Sequence, residues 1–238
     1  MKTRLIASSA ALAVAVLALA AQGAYLFKIA VKPGDTFKYA VMVDLELQGM
    51  QIQQKYNQVQ KVTKVDEDGA FHVESSQSDN AVTVGGQEVP NPGGSDKVEK
   101  SKLSPTGEIV STDDTEQPLG IQIRLSRGMS LVDPKKGIAV GDSWSAEFAA
   151  IKKEDVPPSK ITYKLIAEEK VGKHDTLKVE INFTETEGAK PVKITGFTWL
   201  DKKNFRSVKD EVSVTGFPAP PGAPVETLDV KVKQTLID

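Results

Sequence analysis

The 238-residue chain contains two histidines, His72 and His174, and no cysteine. A nucleophile–base system would therefore have only two candidate bases and no thiol to activate. His72 stands between Phe71 and Val73 in a strand-like run, facing away from both, and His174 lies in the turn "VGKHDT". Both read as exposed polar side chains. No Gly-x-Ser-x-Gly elbow, zinc-ligand spacing or phosphate-cradling glycine loop occurs, so the commonest hydrolytic and nucleotide chemistries lack their residues. Asp66-Glu67-Asp68-Gly69 resembles the start of a calcium loop but lacks the spaced ligands and closing glutamate. A hairpin turn accounts for it, and Asp113-Asp114 reads as a solvated loop. No catalytic residue, metal site or cofactor is expected.

One recurrence stands out. "VKPGDTFKY" at residues 31–39 is echoed by "IAVGDSWSAEF" at 138–148. Gly34 and Gly141 allow the backbone to reverse, Asp35 and Asp142 can accept bonds from nearby amides, and Phe37 and Trp144 are the first inward aromatics of their strands. The pair therefore predicts a strand-initiation device used twice. Cation binding by the two aspartates is the weaker reading, because one carboxylate per turn is far short of a calcium site's six to eight oxygens.

The elements that must position these residues are strands. In "TFKYAVMVDLELQ" Phe37, Tyr39, Val41, Val43, Leu45 and Leu47 alternate with Lys38, Ala40, Met42, Asp44, Glu46 and Gln48, a period of two with one buried face and one mostly wet. At about 3.3 Å per residue this strand runs roughly 36 Å, nearly twice the usual length, which predicts a sheet that coils. The alternation recurs at Ile161, Tyr163 and Leu165, at Leu177 to Phe183, and at Leu228 to Val232. Turn residues such as Asp68-Gly69, Gly85-Gly86, Asn91-Pro92-Gly93-Gly94 and Pro220-Pro221-Gly222 separate the runs. One helix is possible between Glu116 and Val132, where Ile121, Leu125 and Met129 share a stripe, although Gly120 and Gly128 weaken it.

The same parts come after each Gly-Asp pair in the same order. "KVTKVDEDGAFHVE" and "KLSPTGEIVS" in the first copy correspond to "YKLIAEEKVGKHDTLKVE" and "TWLDKKNFRS" in the second. The expected organisation is a first β repeat over 24–115, a connector with a possible short helix over 116–137, and a second β repeat with a C-terminal hairpin over 138–238. The fold class is thus mainly β: antiparallel meanders, internally duplicated, in a curled half-barrel or barrel-like sheet with at most one short helix.

Residues 1–23 have the layout of a secretory signal peptide. Lys2 and Arg4 precede an apolar, alanine-rich stretch and then small residues, with cleavage expected after Ala20 or Gly23. The stretch is short for a membrane span. Removing it leaves 28 basic and 32 acidic residues, a near-balance that argues against nucleic acid as a partner. Without cysteine there is neither disulfide nor lipidated anchor, so stability must come from burial. A periplasmic or secreted address is expected.

"VGDSW" at 140–144, the hairpin "YKLIAEEKVGKHDTLKVEI" at 163–181 and "GFTWLDKKNFRSVK" at 196–209 together resemble a family of exported bacterial proteins of unknown function. The last element also resembles a strand pair of the LolA-like lipoprotein-carrier superfamily. That resemblance implies a curled half-barrel with an apolar concavity. The chain departs from those carriers in offering one doubtful helix where they have several, and no ligand-contacting residue carries over.

The functional expectation is a non-enzymatic exported protein that holds an apolar or lipid-like molecule on a curled sheet, with Phe37, Tyr39, Val41, Trp144, Tyr163 and Trp199 as candidate lining residues. Each is equally a candidate for the core. The alternative is a structural or protein-interaction module of the bacterial cell envelope, with the loops at 88–97 and 217–224 as contact surfaces.

Overall fold

The computed structural model describes residues 24–90, 97–115, 117–219 and 224–237. The expected signal peptide at 1–23, the turn at 91–94 and the tip of the proline-rich loop lie outside the described residues. The first copy supplies β1 (Thr36–Leu47), β2 (Met50–Val65), β3 (Phe71–Val84), β4 (Gln87–Val89), β5 (Val98–Leu103) and β6 (Ile109–Thr112). After helix α1 (Leu119–Met129) come β7 (Ser143–Phe148), β8 (Ser159–Val171), β9 (His174–Glu185), β10 (Lys193–Asp201), β11 (Ser207–Pro218) and β12 (Thr227–Ile237).

All of these strands form one antiparallel 12-stranded sheet that curls without closing, in the order β6-β5-β3-β2-β1-β12-β11-β10-β9-β8-β7, with β4 beside β3. A sheet of this width must curl or split, because every strand pair adds right-handed twist. The first and last strands meet at its centre, Val43 opposite Val232, so the two copies run head to tail through β12 as a single sheet. The short strands β6 and β7 stand at the two ends of this strand order.

Both Gly-Asp pairs make the same four hydrogen bonds. The Gly34 amide donates to the Val62 carbonyl at 2.8 Å and the Val62 amide returns to the Asp35 carbonyl at 2.8 Å. The Asp35 amide donates to the Lys32 carbonyl at 3.1 Å, and its carboxylate accepts from the Lys32 amide at 2.9 Å. In the second copy Gly141 donates to the Leu165 carbonyl at 2.8 Å, Leu165 to the Asp142 carbonyl at 3.0 Å and Asp142 to the Ala139 carbonyl at 3.0 Å, while the Asp142 carboxylate accepts from Ala139 at 2.9 Å. Gly34 and Gly141 have φ of 93° and 97°, a region an L side chain rarely enters. The repeated motif thus sets the register of β1 on β2 and of β7 on β8.

The repeat extends to the later turn. The Ser104 hydroxyl accepts from the Thr106 amide at 3.3 Å, and the Asp201 carboxylate accepts from the Lys203 amide at 2.7 Å. A short polar side chain bonding two residues ahead nucleates both turns.

The helix carries the chain from one edge of the sheet to the other across the concave face. Its buried residues are Gly120, Ile123, Arg127 and Gly128, so the expected Ile121, Leu125 and Met129 stripe is not the packed face. Leu125 is half-buried against the core and Met129 is exposed. The glycines that weaken the helix as an isolated segment are its points of closest approach. A Cβ on Gly120 would fall on the Glu154 carbonyl oxygen, and one on Gly128 on the Ile194 side chain. Arg124 clamps the helix to the sheet, donating from Nε and Nη2 to the two oxygens of buried Glu185 at 2.5 and 2.8 Å. Glu185 Oε2 also accepts from the Val192 amide at 2.8 Å.

Beside the helix, residues 24–31 lie along the concave face as a strap. Tyr25 bridges to Ile138, Phe27 is fully buried, and the Ala30 amide donates to the Asn204 carbonyl at 2.9 Å. Helix, strap and connector cover Ile161, Tyr163, Leu165, Leu177, Val179, Ile181 and Phe183, which form the main core with Ile194, Leu200, Val212 and Val214. The first copy has only a small core of Val62, Phe71 and Val73.

Candidate functional site

Where the helix ends, between the two copies, the concave face encloses a cavity of about 310 Å³. Its walls are mostly apolar: Ile29 from the strap, Phe71 and Leu103 from the first copy, Met129 and Leu131 after the helix, and Ile181, Leu200 and Phe205 from the second copy. Met129 is exposed, so the cavity reaches solvent at its side.

The floor is polar and comes from the four central strands together with the turn before β11. Tyr39 on β1, Gln60 on β2, Arg206, Ser207 and Asp210 at the start of β11, and Gln234 on β12 all line it. Arg206 lies flat on Phe37, its guanidinium carbon 3.6 Å from the ring centroid. Nη2 donates to Tyr39 Oη at 3.0 Å and to Gln60 Oε1 at 3.3 Å, and Tyr39 passes its own proton toward the Ser207 carbonyl at 3.3 Å. The buried Asp210 carboxylate accepts from the Ser207 hydroxyl at 2.7 Å and from Gln234 Nε2 at 3.3 Å. Burial pushes the Asp210 carboxyl above the usual carboxylate range, against the opposing effects of its hydroxyl donors and of Arg206. Burial likewise raises the Tyr39 phenol. A mostly apolar pocket with a few convergent polar groups is the usual form of a small-molecule site.

The six candidate lining residues separate into four groups. Tyr39 and Tyr163 line the cavity. Phe37 and Val41 share Tyr39's face of β1 by register, opposite Gln60 and Tyr56, and Phe37 reaches the site only as the platform under Arg206. Trp144 is core: it stacks on Tyr163 at 4.8 Å, lies 4.9 Å from Phe27, and donates its indole N–H to the Val132 carbonyl at 3.0 Å. Trp199 faces the other side of the sheet, bonded to Glu169, with Lys178 and Lys209 over its ring at 4.8 and 4.4 Å. Tyr163 doubles as an anchor, donating to the Ser130 carbonyl at 2.8 Å and accepting from the Val132 amide at 3.3 Å. Burial pushes its phenol up to about 12.

The residues that sequence reasoning missed are Gln60, Arg206, Ser207, Asp210 and Gln234. Two of them carry a readable signal, because Asp210 interrupts the inward series Val208, Val212, Val214, and Gln234 continues the series Val230, Val232. Arg206 and Ser207 sit where a turn becomes a strand, and periodicity does not assign them a face.

Both histidines are partnered rather than freely exposed. His72 Nε2 lies 3.1 Å from Asp66 and His174 Nδ1 lies 2.7 Å from Asp201. His174 is drawn in because the turn after β10 comes beside the β8–β9 hairpin, where the Lys202 amide donates to the Asp175 carbonyl at 3.0 Å. Neither histidine lines the cavity. Asp66 also pairs with Lys64 and Lys102, which with His72 hold its carboxyl well below the usual range. No group of three or more potential metal ligands occurs among the described residues, and no helix among them is long and apolar enough to cross a membrane.

Fold and site together define a class: an open, curled, single-sheet β protein with a partly covered concave face and an amphipathic cavity. No family model and no curated protein matches the sequence. Among solved structures, a study of lipid–protein interactions in lipovitellin matches 87% of this chain at 10% identity and a TM-score of 0.45. The chain spans only 25% of that protein's length. A protein from Bacteroides fragilis described as exported, with a YmcC-like fold, is covered in full and matches 90% of this chain at 13% identity and a TM-score of 0.33. A DUF1329 family protein from Desulfovibrio piger matches 85% of this chain and 84% of its own length at 12% identity and a TM-score of 0.21. Likenesses of this strength assign no ligand and no activity to the chain. None of these three likenesses is to a LolA-like carrier.

Proposed function

We propose that this is a non-enzymatic, exported bacterial protein that holds a small amphipathic, lipid-like molecule in the cavity between its two β repeats. One observation carries the reading: a cavity of about 310 Å³ whose walls are apolar and whose floor presents Arg206, Tyr39, Gln60 and Asp210. Apolar walls reward burial of a chain at about 25 cal/mol per Å², and the polar floor fixes which end goes in. The export reading rests on the layout of residues 1–23.

Native mass spectrometry of the mature protein from its own exporting cells, with organic extraction of anything bound, tests this. The expected result is a reproducible extra mass that extracts as a small amphiphile. A clean apo mass would sink the carrier reading and leave the envelope-module alternative in its place.

A further inference from the structure

Resting on that reading of the cavity, we propose that the ligand is a single-chain amphiphile with an anionic head group, carboxylate or phosphate in kind, and that Arg206 receives the head group. The cavity has two charged lining residues, Arg206 and Asp210. Asp210 is held by Ser207 and Gln234 and is fully buried. Arg206 is half-buried, and among the described residues no carboxylate forms an ion pair with it.

The guanidinium is already oriented. Phe37 supports its face, and Tyr39 and Gln60 take up Nη2, so Nε and Nη1 are the donors left to meet an acceptor in the cavity. A guanidinium edge is the side-chain group best matched to carboxylate or phosphate, because its N–H groups form parallel charge-assisted bonds to two oxygens. Holding it by three partners beforehand lowers the ordering cost of binding. The volume of about 310 Å³ lies at the small end of ligand pockets, which suits one short chain.

Isothermal titration of the mature protein with four probes of equal chain length tests this: decanoate, decyl phosphate, decanol and decyltrimethylammonium. The anionic probes are expected to bind about tenfold or more tightly than decanol, as a hydrogen bond to a charged group requires, and the cationic probe more weakly than decanol. Arg206→Gln should abolish the anionic preference, so that decanol and the two anions bind R206Q alike. Whichever anion binds more tightly names the source, a fatty carboxylate or a lipid phosphate, and either order supports the proposal. Equal binding of decanol and the anions, or a preference that survives in R206Q, overturns the head-group assignment with the cavity reading intact. Should R206Q fail to fold, the wild-type comparison of the four probes still decides. Failure of all four, together with a clean apo mass, overturns both.

Discussion

The two halves of the concave face share one repeat and differ in cover. In the second copy, helix, strap and connector seal an apolar floor, and Leu165, Leu177 and Val179 are fully buried. In the first copy, Gln54, Tyr56, Gln58 and Gln60 take the corresponding inward places on β2 opposite Val43, Val41, Tyr39 and Phe37, and most of that face stays half-exposed. The helix also touches the first copy, where Ser126 accepts from the Ile109 amide at 3.0 Å and Arg127 donates to Glu108 at 2.8 Å, but the sealed core lies on the second copy. The first copy, with its smaller core, carries amides that tolerate water, and the polar-floored cavity lies at the join. A duplicated sheet with unequal cover is therefore asymmetric by composition as well as by packing.

The largest expected effect tests the cover. Arg124→Ala leaves buried Glu185 without its cation, and breaking a buried pair from one side costs about 3–5 kcal/mol. Urea unfolding should show that loss. A change under about 1 kcal/mol, the size of a surface pair, would mean the helix is not clamped as described.

A matched pair of truncations sharpens the contrast between the halves. Leu177→Ala, at a fully buried position in the covered half, should cost about 2–5 kcal/mol. Leu45→Ala, on the open half where the side chain is half-exposed, should cost about 1 kcal/mol or less, since less apolar area returns to water. Equal losses would show that something covers both halves in solution.

Gly120→Ala addresses how closely the helix sits. The new methyl would overlap the Glu154 carbonyl oxygen, and overpacking of this kind costs about 1–3 kcal/mol even though alanine is the better helix former. A stabilised variant would show that the helix lies further from residues 151–156.

The smallest effect belongs to the join and is read as a pH dependence. Asp210 has a folded-state pKa above its unfolded value, so the folded state holds its proton more firmly. Stability is then greatest below the ordinary aspartate pKa of about 3.9 and is lost as pH rises through the raised folded value. Asp210→Asn lacks this loss, so its melting temperature should exceed wild type near pH 8 and converge with it near pH 4. A difference that is constant across that range would mean that the carboxyl has the same pKa in the folded and unfolded states.

Much of this was legible in the sequence because its causes are local. The period-two runs from Phe37 to Leu47 and from Leu177 to Phe183 define strands by themselves, since alternate side chains must point to opposite faces. The Gly-Asp pairs announce a turn whose bonds run to the next strand, and the structure shows the same four bonds in each copy. The helix was only half legible. Gly120 and Gly128 count against it locally, whereas the structure uses them as contact points with Glu154 and Ile194. The run around Trp199 assigns it to no face, because "KITGFTWLD" mixes apolar residues on both parities.

The sequence by itself determined the strands, the repeat and the turn devices, because period and glycine act over a few residues. Only the tertiary structure decided that β1 joins β12, that helix, strap and connector together seal the core of the second copy, and that Arg206, Tyr39, Gln60 and Asp210 meet around one cavity. Tyr39 and Arg206 stand 167 positions apart in the chain. What brings them together is the pairing of the first strand with the last, which sets β1, β12 and β11 side by side, a property of the whole sheet that no local pattern encodes.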